Sequence, residues 1–466
     1  MNYKNLSLKK LLPIVKTIND EEFTLFCTLY TKKQNKRFNK KTVKKNLRKL
    51  ITKRYPYNCH NIYTKRDLSL LYNNSKMKES AILEALFPNR KNNWKKISKR
   101  TDNKKQEINI ENFSFIDNPE NTLEIFKKIA ELEATKPFRT CELNYLDKTI
   151  DDISPYLLLG EITKKMFPFI RGGKISENLK YAMRPLKLDE FLGITGVSYP
   201  DKIPNILALP VYTRRDKNDI TKDITTSSSR DYISFKVCEQ FNFWLQKISE
   251  LSNTKVQLSN SGKSYLGNII GEILDNAEKY AYLDKNNGDW NITCFMEFNQ
   301  QKNEYKCCLS IFNEGISIAK SIQNTKVKSV KDNLNDYINK NRKYDKDLLS
   351  TVFALQDNST VDNGSSCGGL GMMHIVNFIK LIGKNNHKDK QPQLVIISGN
   401  SYIKFSGDYL FSTNTNEIGN RYQWFNKNNT LSEPPDEKNI FCLKNYVAGT
   451  IISTRFYLDK EVLTNE

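Results

Sequence analysis

The chain has 466 residues, 38% hydrophobic and 11% aromatic, enough to bury substantial cores over about two to four domains. Its 73 Lys+Arg against 52 Asp+Glu leave a net charge of +21. Nine cysteines without a CxxC pair argue against a disulfide scaffold or a zinc site. No apolar run reaches the roughly 18 residues of a membrane span. Lysines, not a signal-peptide core, follow Met1-Asn2-Tyr3-Lys4, so a cytoplasmic location is expected.

The charge is uneven. Residues 1–100 hold 26 Lys+Arg against 6 Asp+Glu, whereas the remaining 366 residues hold 47 against 46. Such a block suits either a polyanion partner, nucleic acid or an anionic membrane surface, or a merely soluble basic face. Apolar spacing predicts helices around Leu8–Ile18, Phe23–Leu29, Thr42–Thr52 and Leu68–Phe87, which makes 1–100 a basic helical domain. A polar, Lys- and Asn-rich stretch over 88–110 reads as a linker. It leads into a mixed α/β middle domain, so that 101–225 is linker plus middle domain. Within that span Ile203–Tyr212 reads as a buried strand, and Thr225–Ser229 is a polar break.

The third region, 226–466, carries the chemistry. Leu266–Ala281, LGNIIGEILDNAEKYA, has an apolar face of Ile269, Ile270, Ile273, Leu274 and Ala277 at helical spacing. Glu272 and Asn276 stand at i and i+4 on one edge, with Lys279 flanking it. A carboxylate, an amide and an amine there suit a magnesium nucleotide. The carboxylate can take a proton from water, the amide oxygen can ligate the metal, and the ammonium can meet a phosphate. Strands are predicted over Trp290–Phe298 and Tyr305–Phe312, with Cys307-Cys308 as core on one face, and the turn Asn313-Glu314-Gly315 follows. Ser365–Met373, SSCGGLGMM, then opens an apolar helix, where glycines let backbone N–H groups approach an anion. Leu394–Ile397, Tyr402–Phe405 and the alternating Gly449–Tyr457 complete the strands. Ser261-Gly262-Lys263-Ser264 lacks the first glycine of a P-loop, because Gln257 stands there, and reads as a helix cap. His374 reads as a helix-surface residue.

In order, GEILDNAEKYA, NEGISI and CGGLGM resemble the N box and two glycine boxes of the gyrase, heat-shock chaperone, histidine kinase and MutL superfamily, over residues 230–460. The fold this resemblance implies is α+β: a Bergerat-type sandwich with a mixed, mainly antiparallel sheet and helices on one face. ATP and Mg2+ are the implied ligands. By the resemblance, Glu272 is the general base, Asn276 the magnesium ligand and Lys279 a phosphate contact. Asn313 and Gly315 receive the adenine, Gly369, Leu370 and Gly371 the phosphates, and Thr450 backs the base. Residues 316–368 become a lid. The sequence departs from the pattern where Asn313 replaces an aspartate, Ser317 the second glycine of the first box, and Cys367 the first glycine of the second.

The implied activity is that of an ATP-hydrolysing switch whose lid closure controls the other domains. A serine kinase of the anti-sigma type and a non-hydrolysing ATP-binding signalling module are the alternatives, with bacterial defence as a setting. No histidine stands in a phosphoacceptor helix, which argues against a self-phosphorylating histidine kinase. The partners this leaves open are a polyanion on residues 1–100, a second copy of the chain, and a protein of unspecified kind.

Overall fold

A computed structural model of the 466-residue chain describes residues 80–88, 90, 106–135, 141–166, 170, 172–199, 206–214, 230–252, 257–281, 288–299, 304–356, 370–382, 390–411, 414–415 and 421–458. In chain order the elements begin with α1 (Ala81–Leu86), β1 (Gln106–Ile110), α2 (Pro119–Thr135), β2 (Cys141–Tyr145), α3 (Ser154–Lys165), α4 (Glu177–Leu186) and α5 (Leu188–Leu192). There follow β3 (Ile206–Arg214), α6 (Arg230–Ser252), α7 (Asn260–Tyr280), β4 (Trp290–Asn299), β5 (Glu304–Glu314), α8 (Ile318–Gln323), α9 (Lys328–Lys340) and α10 (Lys346–Ala354). The last are α11 (Leu370–Ile382), β6 (Gln393–Phe405), α12 (Asp408–Phe411), β7 (Asn414–Thr415), β8 (Arg421–Tyr422) and β9 (Ile440–Leu458). The helices expected before residue 68 lie outside the described residues. Of the Leu68–Phe87 expectation, α1 is the described part. The polar 88–110 stretch, expected as linker, ends in β1, which pairs in parallel with β2.

The chain is a mixed α+β protein whose main sheet runs β3-β4-β5-β9-β6, antiparallel at every pairing. β3, sequentially in the middle region, is an edge strand of this sheet. Pro210 and a register shift between Leu209 and Tyr212 interrupt its regular pairing, a place where a missing N–H is tolerated. The two short strands expected near 394–397 and 402–405 are one strand, β6, bent by a bulge around Gly399. No helix among the described residues is long and apolar enough to cross a membrane.

The expectation of helices on one face needs correction: both faces are covered. Cys307, Leu309 and Ile311 enter a core with α6, α7, α9, α10 and α11. Cys308 and Phe312, pointing the other way, enter a second core with α1–α5, β1 and β2. Cys307 and Cys308 are therefore both buried, in different cores, where one buried face was expected. The cause is visible in YKCCLSIF, a run without a polar alternation, which leaves no face for solvent. Burial holds the Cys308 thiol up at about 12, so it stays protonated.

The middle region is thus part of the same folded body. Asp152, fully buried in the seam, accepts from Phe115 N at 2.7 Å, Ile116 N at 3.3 Å and Ser154 N at 2.9 Å. It also accepts from the Ser154 and Ser453 hydroxyls, each at 2.6 Å. Tyr402 Oη and Lys404 Nζ both donate to the Ile116 carbonyl, at 3.3 and 2.9 Å. Arg455 grips Asp117 through two bonds of 2.6 and 2.7 Å. Burial alone would raise the Asp117 carboxyl, but the Arg455 guanidinium overrides it and holds it below its ordinary 3.8.

Asp152→Ala leaves buried donors on both layers without an acceptor, and urea unfolding should show a loss of about 3 kcal/mol or more. Asp152→Asn should not restore the full amount, because its amide N–H₂ would face backbone N–H groups. Asp117 binds its proton less tightly in the native than in the unfolded chain. The stability gap between wild type and Arg455→Met should therefore be complete above pH 3.8 and close as pH falls through the lower native value. Denaturation curves at stepped pH check this sign.

Candidate functional site

α7 is amphipathic, and Ser259 caps it by accepting from Gly262 N at 3.0 Å. The Ser261–Ser264 string lies in its first turn, with the cap, Ser259, two residues before the motif. Ile269, Ile270, Ile273, Leu274 and Ala277 are buried as the periodicity predicts. That leaves Glu272 half-buried, and Asn276 and Lys279 exposed, along one edge.

Beneath α7, where β4 begins and β5 ends, the sheet carries a row of four residues. Trp290, Asn313, Thr450 and Ser398 are successive register partners across β4, β5, β9 and β6. Directly opposed residues share a face, so the row lies on one side. Trp290 fixes which side, because its indole N–H donates to Glu278 Oε1 of α7 at 3.0 Å. Thr450 and Ser398 hydroxyls lie 2.8 Å apart, and Ser398 Oγ accepts from Ile318 N at 2.8 Å, tying the start of α8 to the row.

Glycines bring α7 down onto this end. Gly315 has φ +152°, and a Cβ there would stand 2.2 Å from the Ala281 carbonyl oxygen. That oxygen accepts from Ile316 N at 2.9 Å, so the C-terminus of α7 is bonded to the turn after β5. Gly288 closes the other side, where a Cβ would meet the Ala277 carbonyl oxygen at 1.9 Å. The last two turns of α7, with Asn276, are thereby held at the Asn313–Thr450 end of the sheet.

The remaining sequence candidates divide. Lys279 forms an ion pair with Asp275 at 2.6 Å, and Arg230 of α6 pairs with the same carboxylate. Its ammonium is thus engaged along the helix. Leu370 and Gly371 open α11, which packs beside α7, with His374 Nδ1 3.0 Å from Tyr265 Oη. His374 is half-buried against that tyrosine, not a free surface residue. Gly369 and Cys367 lie outside the described residues. Ser317 caps α8, accepting from Lys320 N, so the lost glycine is a helix start. Of the interval 316–368 expected as a lid, 318–354 holds α8, α9 and α10, with Ile322, Leu334, Tyr337, Leu349 and Val352 in the core. That part is structural. Residues 357–368 lie outside the described ones.

Sequence reasoning missed Ser398, Glu278, Ala281 and Gly288. A serine ending the apolar LVII run was the one local signal for Ser398. Among the described residues no group of three or more His, Cys, Asp or Glu could hold a metal ion. The donor set here fits only a metal that takes one protein amide and completes its shell with phosphate oxygens and water, as Mg2+ does.

Electrostatics give this end a second tie. Glu314, between Asn313 and Gly315, points to the opposite face, is buried, and forms an ion pair with Lys165 at the end of α3. The turn is therefore bonded to α7 on one side and to the middle region on the other.

Gly315→Ala forces a Cβ into the α7 terminus at a positive φ and should cost about 2–4 kcal/mol in thermal or urea unfolding. Gly172→Ala, where φ is also positive but a Cβ would meet nothing within 4 Å, should cost less and serves as the control.

No protein-family model matches this chain, and neither does any curated protein or solved structure.

Proposed function

We propose that the α7 edge and the polar row form a site for Mg-ATP, and that the protein hydrolyses it as a Bergerat-type ATPase. The observation that carries this reading is the register pairing of Asn313 with Thr450 on the α7 face, at the point where Ile316 N–H bonds to the Ala281 carbonyl at the end of α7. Two segments that the resemblance assigns to the base, 137 residues apart in sequence, are neighbours here. Asn313 offers an amide that accepts from an exocyclic amino group and donates to a ring nitrogen, a two-bond match to adenine without charge. Thr450 and Ser398 supply hydroxyls beside it.

In this reading Glu272 takes a proton from the attacking water. It stands half-buried on α7, on the edge that also bears Asn276, where a carboxylate can hold and deprotonate a water. Asn276, exposed four residues on, would hold Mg2+ through its amide oxygen, and the ion would neutralise charge on the phosphates. Lys279 stays with Asp275 or exchanges to phosphate when nucleotide arrives. The product state is read out through the Glu314–Lys165 pair, which lies one residue from Asn313 and reaches the middle region without a lid in 318–354.

Titration calorimetry with Mg-ATP, alongside phosphate release, tests the proposal on the full chain. Wild type should bind and release phosphate. Glu272→Ala should keep binding but lose turnover by about 100-fold or more. Asn276→Ala should lose magnesium-dependent affinity by about 10-fold or more. Absence of binding by wild type overturns the site, and undiminished turnover in Glu272→Ala overturns the base. Phosphate appearing on a protein serine instead of in solution assigns the kinase alternative, and tight binding without either product assigns the signalling module.

A further inference from the structure

α6 is apolar on two faces. Ile233, Val237, Phe241, Trp244 and Ile248 are buried against the sheet and α7, as a packed helix requires. Its outer face holds Tyr232, Phe235 and Phe243, which are 47%, 57% and 40% exposed. Those three, with Leu146, are the exposed large hydrophobic residues among the described ones, so three of four stand on a single helix. Scattered exposed side chains are ordinary, whereas a concentration of aromatics along one helix marks a contact surface.

The charges among these aromatics carry the information about what covers them. Lys236, Glu239, Lys247 and Glu250 lie on the same outer face, separated by steps of three, eight and three residues, with Phe243 midway between the pairs. Within one chain they already pair locally, Lys236 with Glu239 and Lys247 with Glu250, each at 2.8 Å. Read from the other end, the row Lys-Glu-Phe-Lys-Glu becomes Glu-Lys-Phe-Glu-Lys. An antiparallel copy therefore meets it with opposite charge at every position. A two-fold axis through Phe243 sets Lys236 opposite Glu250 of the second copy, Glu239 opposite Lys247 of the second copy, and the two Phe243 rings on each other. A foreign partner would have no reason to be matched by this sign-inverting symmetry, and a two-fold homodimer requires it.

We propose that the outer face of α6 is the contact through which two copies of this chain associate, antiparallel, about a two-fold axis at Phe243. At 1.5 Å per residue the 23-residue helix offers a seam of about 35 Å. The aromatics supply apolar area, and Lys236 and Lys247 lie 5.6–5.7 Å from the ring centroids of Tyr232, Phe235 and Phe243, so their stems extend that area. The exposed ion pairs add little energy and set the register and direction. The surface is independent of the nucleotide reading, since none of its residues belongs to the proposed site.

Sedimentation equilibrium of the full chain tests it. Wild type should be dimeric at micromolar concentration. Lys236→Glu with Lys247→Glu makes the row all acidic, and Glu239→Lys with Glu250→Lys makes it all basic. Each double variant alone should lose at least about 100-fold in self-association. An equimolar mixture of the two should recover a dimer, which misfolded variants cannot do, and circular dichroism checks each variant separately. A wild type that stays monomeric to about 100 μM overturns the proposal. So does a dimer that both variants keep, or a mixture that stays monomeric.

Discussion

The structure depends on β5 having no solvent face. Cys307, Leu309 and Ile311 point one way and Cys308, Ser310 and Phe312 the other, and every one of these side chains is buried. An antiparallel sheet with one wet face would expose half of them, at a cost of roughly 2 kcal/mol for each large apolar side chain. The sheet therefore needs two coverings. α6, α7 and α9–α11 provide one, and the middle region provides the other. The polar atoms trapped in the second seam are answered by Asp152, whose acceptors serve both layers at once. Lys306 illustrates the same pressure at the rim. Burial would lower its ammonium, but the Glu297 and Asp151 carboxylates override that and hold it above its usual range.

The candidate site is what happens where this two-sided burial ends. Where β4 begins and β5 ends, the face under α7 turns from apolar to polar, through Asn313 and its neighbours Thr450 and Ser398 within β9 and β6. Trp290 remains buried because Glu278 reaches over it. Gly315 and Gly288 remove the side chains that would hold α7 away. Alternation along β5 then sends Glu314 to the other layer, where Lys165 meets it. One strand end thus serves the proposed nucleotide contact on one face and the middle region on the other, and a displacement of the turn is felt by both.

Much of this was legible in the residues, for identifiable reasons. α7 follows from its 3.6 periodicity, and β4 and β9 follow from runs too apolar and too β-branched for turns. That Asn313 and Thr450 lie together was implied only by the resemblance, which assigns both to one base. Ser398 was not legible, because its partner Thr450 lies 52 residues away and only strand order decides that β6 sits beside β9. β1 was lost inside a polar stretch because only Ile108 and Ile110 face inward. The interval 316–368 was read as a lid because the resemblance puts one between the two glycine boxes, and the few apolar residues that anchor 318–354 in the core are spread among many lysines and asparagines. Lys279 points the same lesson the other way: its spacing from Asn276 is correct, yet Asp275, one turn behind it, takes its charge.

By itself the sequence determined α7, β4 and β5, the confinement of the basic excess to the first 100 residues, and the edge of α7 that bears Glu272 and Asn276. These depend on periodicity and composition within short windows, which tertiary contacts do not alter. Only the tertiary structure decided that both faces of the sheet are covered, that β3 leaves the middle region to become an edge strand, and that Asn313, Thr450 and Ser398 form one row. Each of those is a pairing between distant segments. Register and strand order are set by the summed burial of the whole sheet, and no local window contains that sum.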